Sequence, residues 1–230
     1  MVFVLSKIIR YVFVIIVFYQ LCQYILQNKS YSFPVSKFKK HAIDASKMKN
    51  GLSAVNNFIG NMKNVNPMYA VKDSYWVQFS FGGLNLNGQF VSTLLTEASV
   101  VFHAPLRTSG RSGMHWANVS CVVLSGSVYR SKDILNGGFK ETFSKGDDFR
   151  HGQFEGAIYE FAEDTFISCY GRGIIPLSGL HPTIGGLTSC DFFGVLKMLI
   201  AYTKGLFDSY SFYFQTLFFD LKNKVTRTEL

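Results

Sequence analysis

The first apolar run of the chain has no helical or strand period at all. Tyr11 to Leu26, YVFVIIVFYQLCQYIL, contains no charged residue. With Val2 to Leu5 in front of it, the run reaches the roughly 20 residues that a membrane-spanning helix needs. Lys7 and Arg10 interrupt its start but lie near enough to the end for their stems to carry the charge to an interface. No small-x-small cleavage pattern follows; the chain continues QLCQYILQNKS, which predicts an uncleaved anchor rather than a removed signal. Lys7 and Arg10 on one side and Lys29, Lys37, Lys39 and Lys40 on the other leave the orientation open.

Beyond the anchor the pattern becomes periodic. From Ser36 to about Met62, Phe38, Ile43, Met48, Leu52, Val55 and Ile59 recur at spacings that predict helix, and Asn64 to Pro67 ends it. Tyr75 to Phe81 alternates like a strand until Gly82-Gly83. Gln89 to His103 is apolar and reads two ways, as a helix or with Ala98 to Phe102 in a strand. Arg107 to Gly113 reads as a Ser/Gly-rich loop. From Met114 to Arg172, turn signals at Asn136-Gly137-Gly138, Lys145-Gly146-Asp147-Asp148 and Glu163-Asp164 separate short strands. Connections this short predict antiparallel pairing in a small closed sheet or barrel. Asp191 to Lys222 returns to helix, with a broad apolar face that includes Phe193, Leu196, Ile200, Phe207, Phe214 and Phe218. The pattern predicts two helices, either packed over the barrel or lying in a membrane interface.

Composition narrows the class. A chain of 230 residues can hold one domain with a real core, and 23 phenylalanines make it richer in aromatics than an average soluble domain. The net charge of +8 comes from scattered lysines, which suits an anionic membrane surface. Without an arginine block or an RNA-binding signature, nucleic acid is not an expected partner. The four cysteines, Cys22, Cys121, Cys169 and Cys190, have no zinc-ligand spacing and are too few for a disulfide framework. His103, His115, His151 and His181 are scattered and form no Ser-His-Asp arrangement by spacing. Tyr170 to Pro176, YGRGIIP, puts two glycines around one arginine where a strand ends. GxGxxG is absent, so no dinucleotide cofactor is implied; neither a metal nor any other cofactor is expected.

Gly82-Gly83, Glu97, GRSGMHWANVSCVVLSG (110–126), His151-Gly152 and YGRGIIP (170–176) together resemble the family of the sigma-1 receptor and the fungal C-8 sterol isomerases. The resemblance runs from about Trp76 to Phe219. It implies an α+β fold: an N-terminal transmembrane helix, a cupin-like antiparallel β-barrel around an apolar pocket, and two C-terminal membrane-associated amphipathic helices. The corresponding divisions are an anchor over 1–30, a helical linker over 31–74, the barrel over 75–190, interface helices over 191–222 and a tail over 223–230. It also implies a single-pass protein of the endoplasmic reticulum membrane and nuclear envelope.

In this family two strands each bring one carboxylate to the pocket, an Asp and a Glu. In the isomerases such acids move protons about a ring double bond; in the receptor they hold the ammonium of amphiphilic amines. The resemblance places Cys121 at the first position and Cys169 at the second. A thiol in apolar surroundings stays neutral. It cannot protonate an alkene and offers no countercharge to a buried ammonium. No catalytic residue is therefore assigned. Glu160 or Glu97 would have to serve if isomerisation were retained. The remaining pocket positions carried over by motif are Leu84, Gly88, Phe90, Val100, Phe102, His115, Val119, His151, Phe161 and Ile175.

Three readings follow: a non-catalytic receptor-like protein that binds a neutral sterol or lipid and acts on other membrane proteins, an isomerase using another acid, and a redox-responsive structural protein with a Cys121–Cys169 dithiol or disulfide. Whether the two thiols meet, or merely fill space, stays open in the sequence. The stretch resembling the family's oligomer contact reads GGLNLNG and lacks GxxxG spacing, so a homo-oligomer is also left open.

Overall fold

The computed structural model describes residues 2–65, 67–132 and 140–228. The chain forms two units, Met1–Ser32 and Phe33–Leu230. The first is helix α1 (Val2–Asn28), within which Lys7–Asn28 is long and apolar enough to cross a membrane. Its Phe13, Val14, Ile15 and Leu21 are exposed.

The second unit begins with α2 (Val35–Ser46) and α3 (Gly51–Val65). The expected helical region is thus two helices. The break falls at Asn50, whose side-chain oxygen accepts the Leu52 N–H at 3.1 Å and restarts the helix as a cap. Phe38 and Phe58 meet edge to face, ring centroids 5.6 Å apart, both fully buried.

The strands are β1 (Trp76–Phe81), β2 (Leu84–Thr93), β3 (Glu97–Ala104), β4 (Thr108–Arg111), β5 (Ala117–Ser125), β6 (Ser127–Ser131), β7 (Lys140–Ser144), β8 (Asp148–His151), β9 (Ile158–Phe161) and β10 (Thr165–Gly173). They form a six-stranded sheet in the order β1-β2-β3-β10-β5-β8 and a four-stranded sheet in the order β4-β9-β6-β7. Every pairing is antiparallel. The sheets share a core in which Leu84, Leu86, Val123 and Ile167 meet Val128, Tyr159 and Phe161. The other face of the large sheet packs on α2 and α3 through Val101, Val122, Leu124 and Tyr170.

This double covering explains why Gln89 to His103 reads two ways. The segment is the end of β2 and all of β3 but its last residue, joined by a turn in which Leu94 N–H donates to Glu97 O. A strand buried on both faces shows an unbroken apolar run rather than alternation. The expected loop at 107–113 contains β4, paired with β9 from Thr108–Phe161 to Arg111–Ile158. Its Ser/Gly composition conceals a strand whose side chains contribute little. Gly110 is needed there because a Cβ would sit 2.3 Å from the Gly82 carbonyl.

The C-terminal helices are α5 (Leu180–Thr188), preceded by the single turn α4 (Ile175–Ser178), and the 37-residue α6 (Phe192–Thr228). The first thus starts inside the span expected to belong to the barrel. Val195, Met198 and Ala201 of α6 are buried, whereas Phe193, Phe207, Phe214 and Phe218 are exposed.

Candidate functional site

A cavity of about 100 Å³ lies between the two sheets. Of the positions expected from sequence, Leu84, Phe102, His115, Val119, Cys121, His151, Phe161 and Cys169 line it, joined by Phe81, Leu86, Ser112, Phe149, Tyr159 and Ile167. Gly88, Phe90, Val100 and Ile175 do not. Phe90 and Val100 lie in the same cross-strand row as Cys169 and so share its sheet face, but there the space is filled by Met198, Ala201 and Tyr202 of α6. Gly88 makes room for aromatic rings: a Cβ on it would lie 2.3 Å from Phe79 and 3.2 Å from Phe102. Ile175 is the first residue of α4, half-buried, beyond the end of β10.

Cys121 and Cys169 are directly opposed on β5 and β10, with Cα atoms 4.1 Å apart, and are joined by a disulfide. Opposed residues this close occupy the non-hydrogen-bonded kind of antiparallel site, where side chains approach best. The sequence left their meeting open; in the fold they meet. As a disulfide the pair carries no proton, no charge and no thiolate for a metal. Cys22 and Cys190 remain free.

Neither substitute acid faces the cavity. Glu97 is only 2% exposed but stands opposite Arg172, in the row that faces α2 and α3, and accepts a hydrogen bond from the Tyr170 hydroxyl. Glu160 alternates away from its inward neighbours Tyr159 and Phe161 and pairs with Arg107 and Lys140. Those two cations hold its carboxyl below the usual range.

The polar part of the cavity is built from histidine, tyrosine and serine. His115 lies with ring centroids 5.5 Å from His151 and 5.7 Å from His181. Burial, with the two neighbouring imidazoles, pushes the His115 pKa down to about 4. Burial likewise lowers that of His151, opposed by Glu155. The three rings are neutral at physiological pH. His103 is elsewhere, stacked on Phe166 at 4.1 Å and paired with Asp164. Among the described residues no group of His, Cys, Asp and Glu is placed to hold a metal ion.

Sequence reading missed Tyr159, Phe149 and the residue behind them, Arg130. A signal existed for the first: in IYEF the alternation puts Tyr159 on the same side as Phe161. Arg130 is 5% exposed, bonds Glu141 and the Arg150 carbonyl, and lies 5.0 Å from the Phe143 ring centroid. Burial opposes its charge; Glu141 and Tyr159 sustain it.

The chain is 30% identical to the sigma non-opioid intracellular receptor 1 of Gallus gallus over 147 residues, 64% of this chain and 65% of that protein. It is 32% identical to the Xenopus tropicalis receptor of the same name over 139 residues, 59% of this chain and 61% of that one. The chain thus matches less than two thirds of these relatives' length. Among solved structures, an RmlC-like cupin from Shewanella frigidimarina aligns with a TM-score of 0.38 at 13% identity, covering 44% of this chain and 86% of that one. The family described as ERG2 and Sigma1 receptor like protein matches residues 9–211, most of the chain, and the protein is a member of that family.

Proposed function

We propose that this chain is a single-pass protein of the endoplasmic reticulum membrane and nuclear envelope, anchored by α1. In this reading it is a receptor-like, non-catalytic member of its family. It holds an uncharged lipid or similar apolar ligand between its sheets and acts on other membrane proteins. The observation that carries the reading is the Cys121–Cys169 disulfide at the positions where the resemblance expects two carboxylates. An apolar cavity with no anion favours an uncharged body over an ammonium. The exposed aromatics of α6 suit a helix resting in the membrane interface. A volume near 100 Å³ is below the roughly 300–1,000 Å³ of sites for drug-sized ligands. A slender acyl chain therefore fits better than a rigid four-ring sterol, which would need the aromatic walls to move.

The test is binding of a cationic amphiphile and of an uncharged lipid to the full chain in nanodiscs, compared with the Cys121→Asp, Cys169→Glu double variant. Wild type should bind the lipid and ignore the amine, and the variant should gain the amine. Tight amine binding by wild type would end the proposal. A second reading, redox response, is favoured by the same disulfide, since reduction would release β5 from β10 at the cavity wall. Alkylation after mild reduction, read as a mass shift together with a change in lipid affinity, tests it.

A further inference from the structure

Lysines that are scattered in the sequence gather at one end of the second unit. That end is the turn between β2 and β3, with the close of β10 beside it. There the Ile175 N–H donates to the Leu95 carbonyl at 3.1 Å and the Gly173 N–H to the Thr96 carbonyl at 2.9 Å. Three other elements meet the sheet at this pole. Phe33, where the unit begins, offers its carbonyl to the Tyr170 hydroxyl at 3.0 Å and to Arg172. α3 ends here: its Met62 packs in one cluster with Phe33, whereas a Cβ on Gly51, its first residue, would meet Phe166 and Ser125 at the other end. α6 crosses here: the Tyr202 hydroxyl donates to the Leu94 carbonyl at 3.4 Å, and a Cβ on Gly205 would lie 2.3 Å from Thr93 and 2.9 Å from Val71. Each element brings a lysine. Lys37 and Lys40 of α2 and Lys72, next to Val71, are exposed, and among the described residues none of the three has an ion-pair partner. Lys63 of α3 donates to the Lys72 carbonyl at 3.1 Å, and Lys204 of α6 pairs with Asp73 at 3.2 Å. Of the acids at this pole, Asp73 is thus matched, Glu97 is buried and Asp208 is half-buried. Leu95 at the turn and Val65 at the end of α3 stand exposed among these cations.

Resting on the reading of α1 as a membrane anchor, we propose that this pole is a docking surface for anionic phospholipid headgroups, whose phosphates and carboxylates are met by Lys37, Lys40, Lys63, Lys72 and Lys204. The chain itself tethers the pole: α1 ends at Asn28 and the second unit begins at Phe33, and five residues reach at most about 18 Å. Phe33 therefore stays within that reach of the end of α1, and the lysines stay with Phe33. A cation held near a negative leaflet surface favours it by about fivefold. The exposed Leu95 and Val65 suit the apolar layer under the headgroups, which an acidic protein segment does not offer. The attraction fades beyond about 8 Å at physiological salt. Lys47 and Lys49, past the far end of the 12-residue α2, are about 15 Å or more from Lys37. Lys145, which donates to the Met48 carbonyl at 2.6 Å, is with them, and all three stand outside the surface.

The test uses the full chain in nanodiscs of four parts phosphatidylcholine to one part phosphatidylserine. Spin-labelled forms of each lipid report, by electron paramagnetic resonance, how much of it is motionally restricted at the protein. Phosphatidylserine should be preferred about fivefold or more. The preference should collapse in 1 M salt, where screening cuts the range to about 3 Å. The variant Lys37→Gln, Lys40→Gln, Lys63→Gln, Lys72→Gln, Lys204→Gln should lose the preference while still restricting phosphatidylcholine, which guards against a variant that merely unfolds. The control Lys47→Gln, Lys49→Gln, Lys145→Gln should keep it. Three results overturn the inference while leaving the anchor reading standing. Wild type shows no preference; or the preference survives in the five-lysine variant, and so belongs to the cations flanking α1; or the control loses as much, so that net charge and not the pole decides. Soluble poly-glutamate that binds the pole in the absence of any lipid preference would assign it to an acidic protein instead, and overturns the inference too. If neither lipid is restricted, α1 is not in the bilayer; the anchor reading fails, and the inference falls with it.

Discussion

The two faces of β10 solve the same problem in opposite ways. On the face toward α2 and α3, a carboxylate is buried and kept: Glu97 receives the Tyr170 hydroxyl and stands across the ladder from Arg172. Tyr170 also reaches the Phe33 carbonyl, as does Arg172, so the network ties the start of the second unit to the sheet. On the face toward the cavity, one residue earlier in β10, Cys169 is bonded to Cys121, and the acids that the family resemblance expects are gone. A buried carboxylate is tolerable where donors surround it and costly where they do not. Losing both cavity acids together leaves no unpaired charge, and the disulfide fills their space with an apolar group.

The largest expected effect comes from breaking the charged face. Glu97→Ala should destabilise the second unit by about 3 kcal/mol, because it strips a buried network of its acceptor. Urea unfolding followed by tryptophan fluorescence would read it. Glu97→Gln should recover part of the loss; a variant as stable as wild type would show that the network is not structural.

Breaking the apolar face should cost nearly as much by another route. The disulfide closes 48 residues of sequence separation. The double variant Cys121→Ser, Cys169→Ser should therefore lose about 2–4 kcal/mol, chiefly through a freer unfolded chain. Unfolding of the oxidised protein with and without reductant makes the same comparison without mutation. A loss under about 1 kcal/mol would mean that the β5–β10 ladder alone supplies the constraint.

Acid should separate the faces further. The fold holds His115 near pKa 4 against an ordinary 6.5, so the unfolded chain binds the extra proton. Stability is fully present above pH 6.5 and falls as pH drops from 6.5 toward 4, by up to about 3 kcal/mol for this ring. Glu141, Glu155 and Glu160, whose folded pKa values are lowered by Arg130, by the Gly152 N–H and by Arg107 with Lys140 respectively, add losses that begin lower, near pH 5. His115→Phe should flatten the upper part of the curve and leave the carboxylate part. An unchanged slope between pH 5 and 6.5 would place the acid sensitivity elsewhere.

Much of this was legible in the chain. The apolar N-terminal helix, the split between helix and strand and the helical C-terminal region all rest on runs long enough to carry a hydrophobic signal. What stayed hidden depends on what covers each residue. Gln89 to His103 could not show its strands because both faces are covered, which erases alternation. Cys121 and Cys169 could not reveal a bond, because register, and not composition, places them opposite each other. Tyr159 carries no motif; it belongs to the cavity, with Arg130 behind it, only because the small sheet folds over the large one.

The same dependence on covering gives the smallest prediction. Gly88, Phe90 and Val100 resemble pocket positions by motif, yet α6 and the Phe79 and Phe102 rings occupy their side of the sheet. Gly88→Ala should force the Phe79 ring aside and destabilise the fold by about 1–3 kcal/mol, the usual result of overfilling a packed core. It should leave the preference for an uncharged ligand over an amine unaltered, because Cys121, Cys169 and His151 keep their places. Phe90→Leu should behave alike at about 1 kcal/mol. If instead either variant changes which ligand is held before it changes stability, α6 does not seal that end, and the cavity extends beneath the C-terminal helix.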